Sequence, residues 1–282
     1  MANHFPFRRY CVVALMLLIV STNALAQPVT QTTTTTVFIP MVANPLPPLS
    51  SNWLERVNGY RLRAGVPPVT EDATLNSNCF EHARYMAENN HLTHNQDPNR
   101  PFASAAGQIC AQKGNAWIGG GIVWEPAHAV DGWMRSVGHR IWLLYPTTPT
   151  FGFGFYTTSN GNTSAAALDV LSYFNNGDSY PNWPVRYPAP NQTDIPPTQF
   201  PITVHWRYFG DTPIVSSTAL RVVGGGNLAH SFSTSLPVGH KGIVITPTLS
   251  LPPNTLIEVS VNGSYANQPF SYTWQFQTGS GS

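Results

Sequence analysis

Charge is scarce in this sequence. Only 10% of its 282 residues are Asp, Glu, Lys or Arg, against roughly 25% in an average soluble domain. Lysine is nearly missing, with Lys113 and Lys241 alone. The 14 basic residues face 13 acidic ones, and no run of like charge occurs. That excludes the basic patch or stripe of a nucleic-acid-binding surface. Few charges beside 42% hydrophobic and 12% aromatic residues also exclude a disordered chain, which needs the opposite balance. Long hydrophobic runs are absent too. The apolar run Cys11–Val20 is about half of the ~20 residues that a membrane-crossing helix requires.

What that run does have is context. Arg8 and Arg9 precede it and Ala24-Leu25-Ala26 follows it, the layout of a secretory signal peptide. Residues 1–26 are expected to be removed after Ala26, leaving a secreted, extracellular protein with no transmembrane segment and the option of cell-surface association. Cys11 leaves with the signal. Cys79 and Cys110 then remain as one pair in an oxidising compartment and are expected to form a disulfide. Closing a loop of about 30 residues contributes ~3–4 kcal/mol in the chain-entropy account. Two buried free thiols are the alternative.

Residues 27–50 carry QTTTTT and NPLPPL, which cannot pack a core and read as a Thr/Pro-rich linker. Helices are expected over 52–64, with Asn52 and Glu55 as a capping box, over 72–90 behind Asp72, and over 125–137 with Pro126 in the first turn. Residues 100–123 show no clear period. Phe151-Gly-Phe-Gly-Phe155 alternates as a strand, Asn160-Gly161 signals a hairpin turn of the I′ type, and 164–173 returns. Helices followed by an antiparallel hairpin give an α+β domain over 51–180. Seven prolines between 180 and 201 mark a linker at 181–199. Beyond it, alternation at 202–206, 242–246, 256–261 and 271–277 predicts an all-β, immunoglobulin-like sandwich over 200–279 without a cross-sheet cysteine bridge.

Three stretches in the α+β part occur in a telling order: AENNHLTH ending at His94, AVDGWMRSVGHR containing Ser136 and His139, and FGFGFY from Phe151. Together they resemble the CAP superfamily, which includes cysteine-rich secretory proteins, insect venom antigens and plant pathogenesis-related proteins, and in particular its secreted bacterial branch. The likeness spans about residues 50–175, and 180–278 resembles the Ig-like tail of some bacterial members. The resemblance implies a CAP-type α-β-α sandwich with a shallow cleft. That cleft presents two histidines and two glutamates, and its histidines can bind a divalent metal such as zinc. His94 and His139 match the histidines. Gln108 matches the first glutamate and Ser136 the second, so both acidic positions are neutral here.

That substitution bears on chemistry. Two imidazoles fall short of the three protein ligands of a usual catalytic zinc site, and His82 or Asp97 would have to supply a third. A general base also needs an orienting partner. The bland readings are His94 as a cap on its helix and His82 as a core-edge histidine. The expectation is therefore a non-enzymatic extracellular module that binds a small apolar ligand, lipid or sterol-like, through the CAP cleft or an apolar groove. An adhesion protein contacting other surface molecules is the second reading. A metal-dependent hydrolase using His94 and His139 is the third.

Overall fold

Helix α1 (Trp53–Arg63) starts where Asn52 supplies its cap, the Asn52 Oδ1 accepting from the Leu54 and Glu55 amides at 2.9 and 3.1 Å. In the computed structural model of the chain, residues 49–122 and 124–281 are described, and they belong to one compact unit. The expected signal peptide and residues 27–48 of the expected linker lie outside the described residues. Helix α2 (Ala73–Glu88) is capped by Asp72 as its sequence predicts. Two short helices go beyond the expectation. Helix α3 (Ala105–Ala111) follows Ser104, whose Oγ accepts from the Gly107 amide. The expected helix over 125–137 is α4 (Pro126–Arg135), and after the extended residue Ser136 the chain coils again as α5 (Val137–Leu143).

A four-stranded sheet lies between these helices, in the order β1 (Thr70–Glu71), β3 (Thr150–Thr157), β4 (Thr163–Asp169), β2 (Gly114–Gly120). Strand β4 shows how it is covered on both faces. Ala165 and Ala167 join a buried cluster with Cys79, Met86 and Cys110 of α2 and α3. Ala166 and Leu168 join another with Val57, Val130 and Trp133 of α1 and α4. Alternate residues thus face opposite helical layers, which is the α-β-α sandwich. The alternating glycines of β3 allow the close approach of α2. A Cβ on Gly152 would sit 2.1 Å from the Leu75 Cβ, and one on Gly154 would sit 2.0 Å from the Phe80 amide nitrogen.

The hairpin between β3 and β4 departs from the expected I′ turn. Gly161 has a positive φ of 71° and Asn160 does not, whereas type I′ needs both. Instead the Asn160 Oδ1 accepts from the Asn162 amide and the Thr158 hydroxyl, closing a longer loop. The returning strand ends at Asp169, because the Asp169 carboxylate caps the Leu171 and Ser172 amides and turns the chain.

The C-terminal part is an all-β sandwich. One sheet runs β11 (Gln268–Gln277), β10 (Leu256–Tyr265), β7 (Ile214–Val222). The other runs β5 (Val185–Tyr187), β6 (Ile202–Trp206), β9 (Lys241–Pro247), β8 (His230–Ser233). Every strand pair in it is antiparallel. Residues 181–199 are built into this body: β5 pairs with β6, and Val185, Tyr187, Ala189, Gln192 and Ile195 are buried. The prolines coexist with burial because this segment bonds along the β11 edge, with Asn191 donating to the Gln275 carbonyl and Ile195 to the Gln277 carbonyl. One buried cluster runs from Val57 of α1 through Trp133 and Tyr187 to Ile202, Ile245 and Phe276.

Buried Arg140 fastens that continuity, and buried Arg61 ties the helices of the α+β part together. Arg140 donates from Nε to the Met134 carbonyl at 2.6 Å and from Nη1 to the Pro201 carbonyl at 2.5 Å. Its guanidinium lies over the Phe200 and Tyr187 rings. Arg61 donates to the carbonyls of Pro67, Leu143 and Tyr145. The Met134 and Leu143 carbonyls lie in the last turns of α4 and α5, so these two bonds satisfy groups that the helices themselves leave open.

Candidate functional site

The loop after α2 carries His94, and side-chain amides hold it in shape. Gln108 on α3 accepts the Gln96 amide at 2.6 Å through Oε1 and donates through Nε2 to the Asn95 Oδ1 at 2.5 Å. Gln96 is itself buried. Its Oε1 accepts from the Ser104 amide, and its Nε2 faces the His82 Nδ1 at 3.2 Å. The disulfide between Cys79 of α2 and Cys110 of α3, with Cα atoms 5.1 Å apart, anchors the helix that presents Gln108. The bridge expected from cysteine counting is thus present, and it braces the loop of His94.

His94 is exposed, with Nδ1 3.3 Å from the Ala111 carbonyl. His139 is half-buried in the first turn of α5, with Nδ1 3.0 Å from the Ser136 Oγ. Asn115 of β2 donates to the His139 carbonyl. Burial pulls the His139 imidazole below its ordinary value, and the nearby His94 adds to the effect. His94 and His139 are therefore electrostatic neighbours. Gln108 touches the loop of the first, and Ser136 touches the ring of the second.

His82 is spoken for. Its Nε2 donates to the Thr93 carbonyl at 3.0 Å while its Nδ1 accepts from Gln96, so both ring nitrogens are engaged. Burial pushes it down to about 4, offset in part by the Thr93 bond and reinforced by His94. It is a neutral core histidine that supports the loop. Asp97 is exposed, accepts from the Asn99 amide and lies 4.0 Å from Arg100. Among the described residues no group of three or more His, Cys, Asp or Glu is placed to hold a metal. The donor set offers two imidazoles, so a zinc centre of three protein ligands does not fit these residues.

Residues 54–174 match the CAP family, described as the cysteine-rich secretory protein family. Residues 54–174 are a CAP domain. Solved structures similar to the chain include an extracellular protein containing a SCP domain from Bacillus anthracis strain Ames, at 21% identity and a TM-score of 0.31. That match covers 41% of this chain and 38% of the other. An outer surface protein of Borrelia burgdorferi is similar at 18% identity and a TM-score of 0.31, covering 41% of this chain and 86% of the other. No curated protein sequence matches the chain. No described helix is long and apolar enough to cross a membrane.

Within this CAP domain the Ser136–His139 contact pairs a hydroxyl with a neutral base. A nucleophilic serine also needs the base oriented by a third group. No carboxylate is hydrogen-bonded to His139 among the described residues. An apolar groove lies elsewhere on the domain. A groove of about 540 Å3 runs along α1, its lining combining the apolar Leu54, Leu62, Val66 and Pro68 with the polar or charged Ser50, Glu55, Asn58 and Arg63. Leu62 is 58% exposed there. A second cavity of about 440 Å3 lies beside Gln108 and Gln96, and neither His94 nor His139 lines it.

Sequence reasoning missed Asn95, Gln96 and Asn115, which position the histidines. The signal was present for part of this. Ser104 ahead of Ala105–Ala111 is a helix start, and it fixes where Gln108 must point.

Proposed function

We propose that this protein is a non-enzymatic extracellular module whose CAP domain binds a small apolar ligand, lipid-like with a single chain, in the groove along α1. The observation that carries the reading is that groove: about 540 Å3, within the ~300–1,000 Å3 of ordinary small-ligand pockets, and bordered by the exposed Leu62. The neutral residues at both acidic positions support binding over hydrolysis. His94, His139, Gln108 and Ser136 take no part in the apolar groove. The secreted location follows from the export signal in the sequence and from the extracellular character of the family.

Equilibrium dialysis with radiolabelled palmitate tests the reading. Saturable one-to-one binding is expected, and Leu62→Glu is expected to weaken it at least tenfold with the melting temperature unchanged, because Leu62 buries little in the fold. Absence of palmitate binding, or equal binding by Leu62→Glu, contradicts it.

A further inference from the structure

On the other side of α1 lies a cavity of different character. It measures about 360 Å3 and opens where α1 and α4 meet the segment from Tyr187 to Phe200. Its floor is apolar and buried, made by Met134, Tyr187 and Phe200. Its rim is charged, with both signs on the helical wall and a carboxylate on the facing one. The helices contribute Arg63, Asp131 and Arg135, and the facing segment contributes Asp194.

These charges are not equivalent. Asp131 is already satisfied: it accepts from the Arg56 Nη2 at 3.1 Å and from the Tyr60 hydroxyl at 2.8 Å. Arg135, in the last turn of α4, has no hydrogen bond or ion pair with any described residue and is exposed on the rim. Asp194 accepts one hydrogen bond, from the Thr193 hydroxyl at 3.1 Å. It therefore retains carboxylate acceptor capacity.

The wall that carries Asp194 is rigidly built. Asn191 and Asp194 both have left-handed backbone, φ 62° and 60°. The Gln192 side chain crosses the turn, accepting from the Ala189 amide and donating to the Tyr187 hydroxyl at 2.9 Å. Tyr187 is 1% exposed and lines the cavity. Its oxygen accepts from Gln192, so its own hydrogen is left to give. Backbone held in sparsely populated conformations by surrounding bonds is a feature of preorganised sites.

We infer that this cavity binds a compact zwitterion, an amino acid or short peptide with one apolar side chain, whose carboxylate meets Arg135 and whose ammonium meets Asp194. The apolar side chain packs on Met134 and Phe200. Charge-assisted bonds at both ends fix the orientation, and the volume suits a ligand of dipeptide size. Arg63 borders both this cavity and the palmitate groove, but Arg135, Asp194 and the floor residues take no part in that groove.

The test is calorimetric titration of the full-length protein with L-leucine, with the dipeptide Ala-Leu, and with N-acetyl-Ala-Leu-amide. At least one of the two zwitterions is expected to bind saturably. The blocked peptide, which lacks both charges, is expected to bind at least tenfold more weakly. The arm that binds tells free amino acid from peptide. Arg135→Ala and Asp194→Asn change exposed residues, so both variants should keep the wild-type melting temperature and each lose about tenfold in affinity. Leu62→Glu should leave this binding unchanged. The inference is overturned if neither zwitterion binds, if the blocked peptide binds equally well, or if both variants bind like the wild type.

Discussion

Two histidine pairs among the described residues, His94 with His139 and His205 with His240, differ in almost everything but composition. His94 and His139 stand at the surface of the CAP domain, one exposed and one half-buried, each with one ring nitrogen in contact with an oxygen. His205 and His240 lie deep in the seam between α5 and the β-sandwich. His240 packs against Trp142 at 4.6 Å and Tyr208 at 5.2 Å, and His205 against Trp183 at 6.0 Å. Both ring nitrogens of His205 are buried without a partner. Burial pushes His205 down to about 3, with His240 and Arg140 adding to it, and His240 down to about 4. The surface pair keeps polar contacts and solvent access, as a site must. The seam pair is used as two flat, neutral rings in an aromatic core. Residue type did not decide the role; surroundings did.

The contrast is sharpest under acid. His82, His205 and His240 have folded-state values below the ordinary ~6.5 of an unfolded chain. The unfolded state therefore takes up protons first as pH falls. Their stabilisation is complete above about pH 6.5 and is lost progressively down to about 4, where the values of His82 and His240 lie. We expect urea unfolding to show a loss of about 3 kcal/mol or more between pH 7 and pH 4.5. His205→Leu should reduce that loss and cost little at pH 7, since it removes an imidazole with no hydrogen bond. A flat pH profile would erase the distinction between the two pairs.

The next effect concerns the support of the surface pair. His82→Ala removes a ring bonded at both nitrogens and leaves the Gln96 amide and the Thr93 carbonyl unmatched. A loss of about 2–3 kcal/mol is expected in chemical denaturation, with loop 91–97 more open to hydrogen exchange. Gln108→Leu removes two bonds to the same loop and should cost about 1–2 kcal/mol. The smallest effect is local. His94→Ala takes away a nearby charge, so the His139 imidazole should titrate slightly higher in an NMR titration. No change there would mean that the two rings do not sense each other.

Much of the architecture was legible. The 3.6-residue stripe of α2, its Asp72 cap and the FGFGF strand all stand in the sequence, and the two glycines of that strand have a physical reason in the approach of α2. The pairing of Cys79 with Cys110 followed from export and counting. What escaped was short or non-local. Helices α3 and α5 have seven residues each, too few to show a period. The proline-rich stretch looked like a linker because its burial depends on bonds to the distant strand β11. The family resemblance supplied His94, His139, Gln108 and Ser136 as candidate positions. The amide network through Asn95 and Gln96 was not legible, because it is set by tertiary contacts between residues with little sequence signature of their own.

The central claim is that the ligand of the CAP domain lies along α1 and not at the histidines. Palmitate affinity measured side by side for Leu62→Glu and for the double variant His94→Ala, His139→Ala tests it directly. The account predicts that the first variant loses at least tenfold and the second binds like the wild type. Loss of binding in the histidine variant, with Leu62→Glu unaffected, would contradict it.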